Sequence, residues 1–185
     1  DPNVSNVRLF VKFTSNGTYL GQIGFPDITN SAGFDFLGNL YANQWSSIKK
    51  FDSNFNLLSQ FGQFTCAYDI NVGSTGNVYV PDSCLKHIQK FDSNGNLLTQ
   101  WGSQGSANGQ FSAVYGTALD SMNNVYVTDF ANHRVQKFDS NGVYITKFTV
   151  SWPFDVAVDP SGAVYVARAS PQTISKFTTS CPVDP

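Results

Sequence analysis

Histidine and cysteine side chains, which supply many of the nucleophiles, proton carriers and metal ligands of proteins, are scarce in this chain. Its 185 residues include two histidines, His87 and His133, and three cysteines. No Ser/His/Asp or Cys/His set is identifiable, because the partners that such a set requires share no common register along the chain. The sequence therefore predicts no catalytic residues, no resident metal ion and no enzyme activity.

Two of the cysteines are spaced for a disulfide. The segment from Cys66 to Cys84 reads as a strand, a turn near Thr75 and a second strand. In such a hairpin the two thiols lie opposite each other at the open end, where a disulfide is geometrically allowed. The pattern predicts a bond that locks this loop and contributes about 2–3 kcal/mol; two buried free thiols are the alternative. The sequence identifies no partner for Cys181.

Several side chains that could contact a partner fall in short loops between predicted strands. Trp45 and Phe130 lie in such loops, where aromatic side chains anchor protein or glycan partners. The predicted binding-surface residues are Trp45, Asp82, Lys86, His87, Asp129, Phe130, His133 and Arg134. Trp101 and Trp152 are instead expected to pack between repeats.

The composition excludes some classes of partner and favours one location. Charged residues make up 13% of the chain and the net charge is −2. A nucleic-acid-binding protein would carry a basic stripe, and no apolar run reaches the roughly 18 residues of a membrane-spanning helix. Three cysteines, few lysines and two sequons, at Asn3 and Asn16, favour an extracellular or cell-surface glycoprotein.

Two short patterns recur along the chain in step with each other. A Lys-Phe pair recurs five times, with its phenylalanines at Phe13, Phe51, Phe91, Phe138 and Phe177. A second pattern ends in tyrosine, at Tyr41, Tyr79, Tyr126 and Tyr165. Because these independent markers advance together by about 40 residues, they predict structural repeats.

Each repeat predicts four short antiparallel strands. An inner strand with alternating residues, as in 154–159, is followed by a tight turn and a second strand, as in 164–166. The third strand, as in 135–138, leads into an Asn-Gly hairpin turn and the fourth. Phe55 replaces the glycine of that turn in one repeat and should strain it. The pattern predicts one all-β domain over residues 1–185, a propeller with about four to five visible blades.

The repeat within residues 102–148 resembles the NHL repeat family. It contains a glycine-rich stretch at 105–111, a Val-Thr-Asp corner at 127–129 and the sequence Asn-His-Arg-Val-Gln at 132–136. The resemblance covers nearly the whole chain and is weaker in the other repeats. It implies a β-propeller, commonly with six blades. The blades that this count leaves out would come from a longer chain, from another chain or from a homo-oligomer, since exposed blade edges pair readily; an unusual propeller with four or five blades is the alternative.

The resemblance also bears on the histidines. Zinc-dependent relatives, the amidating lyases, use three histidines around the ring axis, and this chain has two. When the repeats are aligned, His133 matches Lys86 and His87 matches Arg134, so the two histidines occupy different places. We expect His133 and Arg134 to hydrogen-bond loop carbonyls and Asp129 to hold the corner of its blade.

Two aspartates are placed differently from the others. Asp69 and Asp155 occupy matching positions on inner strands and are expected to face the central channel. No cofactor is predicted, and a calcium ion in the channel is the alternative. The remaining aspartates near turns are expected to cap those turns.

The expected function is binding. Loops on one face of the ring, at 43–47, 82–87, 104–113, 129–134 and 168–173, would present a surface to a protein or glycan ligand. The chain would then be a secreted or cell-surface binding and scaffolding module. The alternatives are a propeller enzyme of the lyase or lactonase type and a self-assembling extracellular structural protein.

Overall fold

The chain is an all-β protein, as the alternating pattern predicts. A computed structural model describes residues 8–25, 31–44 and 46–178. These residues form seventeen strands and no helix. The described part of the chain accordingly has no helix long and apolar enough to span a lipid bilayer.

The strands form five antiparallel sheets, each made of strands that are consecutive in the chain. The first sheet is a hairpin of β1 (Arg8–Phe13) and β2 (Tyr19–Phe25). The three sheets that follow have four strands each: β3 (Ala32–Phe34), β4 (Leu40–Gln44), β5 (Ser47–Phe51) and β6 (Leu57–Phe61); β7 (Asn71–Val72), β8 (Val78–Asp82), β9 (His87–Phe91) and β10 (Leu97–Trp101); β11 (Val114–Leu119), β12 (Val125–Asp129), β13 (Arg134–Phe138) and β14 (Tyr144–Thr149). The last sheet has three strands, β15 (Pro153–Val158), β16 (Val164–Arg168) and β17 (Thr173–Phe177). The four sheets with three or four strands are the blades of a β-propeller, which confirms the predicted fold class.

The two repeating sequence markers meet across neighbouring strands. Each marker tyrosine lies on the second strand of a blade, directly opposite the lysine of a Lys-Phe pair on the third strand. The lysine Nζ lies over the tyrosine ring, 4.8–5.5 Å from its centre, in the pairs Tyr41–Lys50, Tyr79–Lys90, Tyr126–Lys137 and Tyr165–Lys176. Each cation–π pair therefore supports the register of one blade.

The turn between third and fourth strands explains one irregularity of the repeats. Gly95 and Gly142 occupy this turn with φ of 88° and 86°, and Phe55 takes the same place with φ of 67°. A residue with a β-carbon is disfavoured in this left-handed conformation. The prediction that Phe55 strains its turn is therefore confirmed.

Neighbouring sheets pack face to face, and a separate apolar cluster fills each of four junctions. Between β7–β10 and β11–β14, the buried rings of Tyr79, Phe111 and Phe138 lie in one cluster, with Trp101 packed against it. The Trp101 ring contacts Phe138 of the next blade at 6.0 Å between centroids, as predicted for inter-repeat packing. Burying side chains of this size contributes about 1.5–3 kcal/mol each.

The packing forms an arc around the channel. Within residues 8–25, 31–44 and 46–178, no apolar cluster joins the last sheet to the first hairpin. Completion of the ring by further blades or by another chain stays a prediction.

Candidate functional site

The loops that join second and third strands, residues 83–86, 130–133 and 169–172, stand on one end of the propeller, called here the loop face. In the β11–β14 blade the corner beneath this face is held by Asp129, which is fully buried. Its carboxylate accepts hydrogen bonds from the backbone N–H of Ser112 at 2.9 Å and from the Asn132 amide at 2.7 Å. It also pairs with the Arg134 Nε at 3.0 Å. Asp129 holds the corner, as predicted.

Arg134 extends this corner to the loop that enters the inner strand. Its Nη1 donates to the carbonyl of Ser106 at 2.8 Å, and its Nη2 donates to the carbonyls of Ala107 at 2.9 Å and Gln110 at 2.7 Å. Because all of these partners lie in the glycine-rich stretch 105–111, Arg134 binds loop carbonyls as expected. Each charge-assisted hydrogen bond here is desolvated and correspondingly strong.

In the preceding blade, β7–β10, a disulfide holds the corresponding loop to its corner. Asp82 is fully buried and accepts the backbone N–H groups of Thr65 at 2.7 Å and Cys66 at 3.1 Å. His87 stands where the next blade has Arg134. Cys66 and Cys84 form a disulfide with their Cα atoms 5.3 Å apart, which confirms the predicted pairing and ties this loop to its corner.

Three predicted surface residues are consequently structural. Asp82 and Asp129 have no exposed surface and Arg134 is 6% exposed. Their polar atoms are bonded inside the corners, because each corner must satisfy the backbone N–H or carbonyl groups of its loop. They do not form part of an accessible binding surface.

The other polar candidates are half-buried on the loop face. Lys86 donates through Nζ to its neighbouring Ser83 carbonyl at 2.6 Å. The His87 Nε2 lies 3.1 Å from the Gln89 amide nitrogen, and burial lowers the pKa of His87 below its usual value. Among the described residues, the His133 ring forms no hydrogen bond to a loop carbonyl, contrary to expectation. Its Nδ1 accepts the backbone N–H of Trp152 at 3.2 Å, since the ring is turned towards the next blade.

Six rings, contributed by three blades, form a continuous surface that we call the aromatic track. It begins at His133, whose ring meets Trp152 edge-on at 4.3 Å between centroids. Trp152 contacts Phe130 at 5.2 Å, and Phe130 contacts Tyr115 at 5.4 Å. Tyr115 then contacts Phe154 at 5.3 Å and Tyr68 at 5.3 Å. The track leads from the loops to the ring axis. Trp152, expected to be inter-repeat packing, does bridge two blades and is also 41% exposed.

A cavity of about 440 Å³ opens where the aromatic track reaches the axis, and we call it the channel mouth. Tyr68, Tyr115 and Phe154 form its walls, and Asp69 and Asp155 lie within it. The two aspartates face the channel as predicted. The aromatic walls were not predicted, although the three residues share one repeat position, directly before Asp69, Gly116 and Asp155, and that recurrence is the signal that identifies them.

The two channel aspartates have different surroundings. Asp69 accepts hydrogen bonds from the Thr117 backbone N–H at 2.8 Å, the Ser31 hydroxyl at 2.7 Å and the Asn71 amide at 2.9 Å. Asp155 accepts the backbone N–H of Val156 through Oδ1 at 2.8 Å. Among the described residues, its Oδ2 receives no hydrogen bond. Asp69 is therefore built into the blades, whereas one carboxylate oxygen of Asp155 accepts no hydrogen bond from the described residues.

The pKa of the Asp155 carboxyl group reflects these surroundings. Desolvation in the channel mouth, together with the nearby negative charge of Asp69, raises the pKa of Asp155 above its usual value. No group of three or more histidine, cysteine, aspartate or glutamate side chains that could hold a metal ion occurs within the described ranges.

The remaining predicted residues lie outside the described part of the chain or at a possible glycosylation site. Trp45, Asn3 and Cys181 lie outside the described residues. Asn16 lies on an exposed turn between β1 and β2, where its Oδ1 accepts the Thr18 hydroxyl at 3.0 Å. Glycosylation of either asparagine stays a prediction.

Comparison of the sequence with protein families identifies one repeat. The family model of the NHL repeat matches residues 116–138, which include the Asp129 corner and Arg134. No curated protein matches the chain in sequence. The predicted resemblance is thus confirmed in the repeat where its motifs are most complete.

Solved structures share the fold. A streptogramin B lyase has a TM-score of 0.72 and 15% identity, with 96% of this chain and 58% of that chain covered. A protein of unknown function from Bacteroides thetaiotaomicron VPI-5482 has a TM-score of 0.69 and 20% identity, over 88% and 51% of the two chains. A catalytically inactive virginiamycin B lyase from Staphylococcus aureus, solved with quinupristin, has a TM-score of 0.64 and 12% identity, over 96% and 61%. The chain spans less than two thirds of each of these proteins.

Proposed function

We propose that this NHL-repeat propeller is an extracellular binding module that takes a protein partner on its loop face, over the aromatic track and the channel mouth. The observation that carries this proposal is the exposure of the aromatic track itself. Tyr68, Trp152 and Phe154 remain 41%, 41% and 54% exposed although each contacts another ring of the track. Interface hot spots are enriched in such aromatic side chains, held in place before the partner arrives.

The support beneath the track is rigid. Asp129, Arg134 and the Cys66–Cys84 disulfide fix the loops from below, so that binding needs little ordering of the chain. A disulfide is stable mainly in oxidising compartments, which is the reason for proposing an extracellular or cell-surface location. A rigid surface that binds a partner through its shape functions without catalytic residues.

Selection from a random peptide library tests this proposal. The purified chain is used as bait, and the selected peptides are then titrated against three variants, Phe130→Ala, Trp152→Ala and Phe36→Ala. Phe36 is 78% exposed on the opposite end of its blade, so its variant is a matched control. We expect both loop-face variants to bind at least about tenfold more weakly, and Phe36→Ala to bind like the wild type.

Two results would overturn the proposal. One is selected peptides whose affinity is the same in Phe130→Ala and Trp152→Ala as in the wild type. The other is binding of the chain to immobilised glycans, abolished by the same two substitutions, when no peptide is selected. That second result would make the track a glycan-binding surface.

The channel mouth favours one second candidate, a propeller enzyme of the lyase type. A carboxyl group with a raised pKa, as at Asp155, can hold and release a proton near a bound substrate. The test is incubation with quinupristin, the compound named with the similar virginiamycin B lyase, followed by mass spectrometry. A new product that Asp155→Asn no longer forms would favour the enzyme, and unchanged quinupristin would count against it.

A further inference from the structure

We propose that the channel mouth binds an alkylammonium group, with Asp155 as its counter-ion and Tyr68, Tyr115 and Phe154 as the walls around it. This inference deepens the proposed function, on which it rests, by naming the chemical group that the loop face recognises. The ligand group is either a lysine-type side chain of a protein or a quaternary ammonium compound, and the experiment below separates these two sources.

Three aromatic rings, those of Tyr68, Tyr115 and Phe154, line one opening. Tyr115 lies nearly parallel to Phe154, with an interplanar angle of 27° and 5.3 Å between centroids. Tyr68 stands at 64° to Tyr115 on the other side. Aromatic rings that stand at different angles around one cavity attract organic cations through the negative charge of their faces, and such cages recognise quaternary ammonium groups.

The carboxylates in the channel mouth supply the negative charge that an ammonium group requires. Asp69 and Asp155 both lie in the channel mouth. Within the described residues the ion pairs are Asp129–Arg134 and Asp120–Lys137, so neither channel aspartate is paired with a cation of the chain. A carboxylate pair without a counter-ion in a partly desolvated site is stabilised by a bound cation.

The same groups are less suited to a metal ion. Calcium takes 6–8 oxygen ligands, and magnesium requires near-octahedral oxygen geometry. Asp69 already directs both carboxylate oxygens at Ser31, Asn71 and Thr117, which leaves the Asp155 Oδ2 as the carboxylate oxygen that accepts no hydrogen bond from the described residues. Walls made of aromatic carbon and a floor with one free carboxylate oxygen favour a cation that carries apolar groups.

A matched pair of small molecules tests the inference on the whole chain. Choline and 3,3-dimethylbutan-1-ol have the same shape, but only choline is charged. Isothermal titration calorimetry at pH 7 should show choline binding at least about tenfold more tightly than the alcohol. A parallel titration with Nα-acetyl-lysine amide distinguishes the sources, since tighter binding of this probe indicates a protein side chain and tighter binding of choline a quaternary ammonium compound.

Variants assign the binding to these residues. Asp155→Asn and Tyr115→Ala should each weaken choline binding at least about tenfold, a loss expected when the counter-ion or a cage wall is removed. Asp52→Asn removes one negative charge from an exposed outer turn and should leave the affinity unchanged, which controls for net charge. Thermal unfolding of each variant verifies that it is folded.

Three outcomes would overturn the inference: no binding of either cation, equal binding of choline and the alcohol, or unaltered affinity of Asp155→Asn. Peptide binding that depends on Trp152, when neither choline nor Nα-acetyl-lysine amide binds, would refute only the ammonium site and leave the proposed binding module standing. Choline binding without any partner on the aromatic track would refute the binding module alone.

Discussion

Gly116 and Asp155 lie on neighbouring inner strands so close together that a β-carbon on Gly116 would be 2.4 Å from a carboxylate oxygen of Asp155. The same carbon would lie 2.8 Å from the Asp155 Cα. The aspartate therefore occupies space that the preceding blade leaves free by having glycine.

Gly116→Ala is expected to destabilise the protein by about 1–3 kcal/mol, because an added methyl group overpacks the junction. It should also displace Asp155 and weaken any binding at the channel mouth. Urea unfolding measures the stability. Gly17→Ala is the control: its φ of 86° brings strain, but its β-carbon has no atom within 4 Å. Equal stability of Gly116→Ala and the wild type would refute the close contact.

Asp69→Asn is expected to lower the unfolding free energy at pH 7, whereas Asp155→Asn is expected to preserve or increase it. Because the pKa of Asp155 is raised in the folded state, its charge opposes folding once the pH exceeds the pKa of the unfolded chain. Removing that charge should preserve or increase the unfolding free energy. Asp69 accepts hydrogen bonds from three residues, so its loss should destabilise. Chemical unfolding at pH 7 compares the two, and a clear loss of stability in Asp155→Asn would contradict this account.

Arg134→Ala is expected to cost about 3–5 kcal/mol, since it leaves Asp129 charged and buried without its partner. Arg134→Lys should recover only part of this loss, because an ammonium group cannot reproduce the guanidinium bonds to Ser106, Ala107 and Gln110. Thermal unfolding of the wild type, Arg134→Ala and Arg134→Lys ranks their stabilities. Similar stability of the lysine variant and the wild type would show that the carbonyl contacts contribute little.

The disulfide corner should be transferable to the next blade. Ala113 and Ala131 stand where the preceding blade has Cys66 and Cys84, and equivalent backbone bonds confirm the match: Phe130 N–H donates to Ala113 at 2.8 Å and Ser83 N–H to Cys66 at 3.0 Å.

We expect the double variant Ala113→Cys with Ala131→Cys to form a second disulfide on oxidation, detected by mass spectrometry after thiol alkylation. Cys66→Ala with Cys84→Ala should cost about 2–4 kcal/mol. Two thiols that stay free under oxidising conditions in the first variant would refute the structural equivalence.

Acid should unfold the protein progressively below about pH 4. At the outer turns the Asn96 amide and the backbone N–H groups of the turn lower the pKa of Asp92, and Asn56 acts in the same way on Asp52. A carboxylate with a lowered folded-state pKa contributes stability above its unfolded pKa, near 4, and this is lost as the pH falls through the folded value. Melting temperatures between pH 6 and 2.5 measure the effect, and Asp92→Asn should show a shallower decline. Stability that is constant over this range would contradict the prediction.

The amino-acid sequence by itself determined the propeller fold and the register of each blade. Tyr126 and Lys137 belong to two patterns that recur together, and they lie opposite each other on adjacent strands. Such local pairing follows from strand alternation and turn length, both of which are written within one repeat. The Cys66–Cys84 bond was predictable for the same reason.

The tertiary structure alone decided which similar side chains are accessible. Asp129 and Asp155 are both aspartates on strands, yet one is fully buried at a corner and the other faces the channel mouth. The difference depends on what the neighbouring blade places beside each carboxylate, Gly116 being the example. The aromatic track likewise joins residues from different repeats, because stacking of the blades brings together rings that are far apart in the chain.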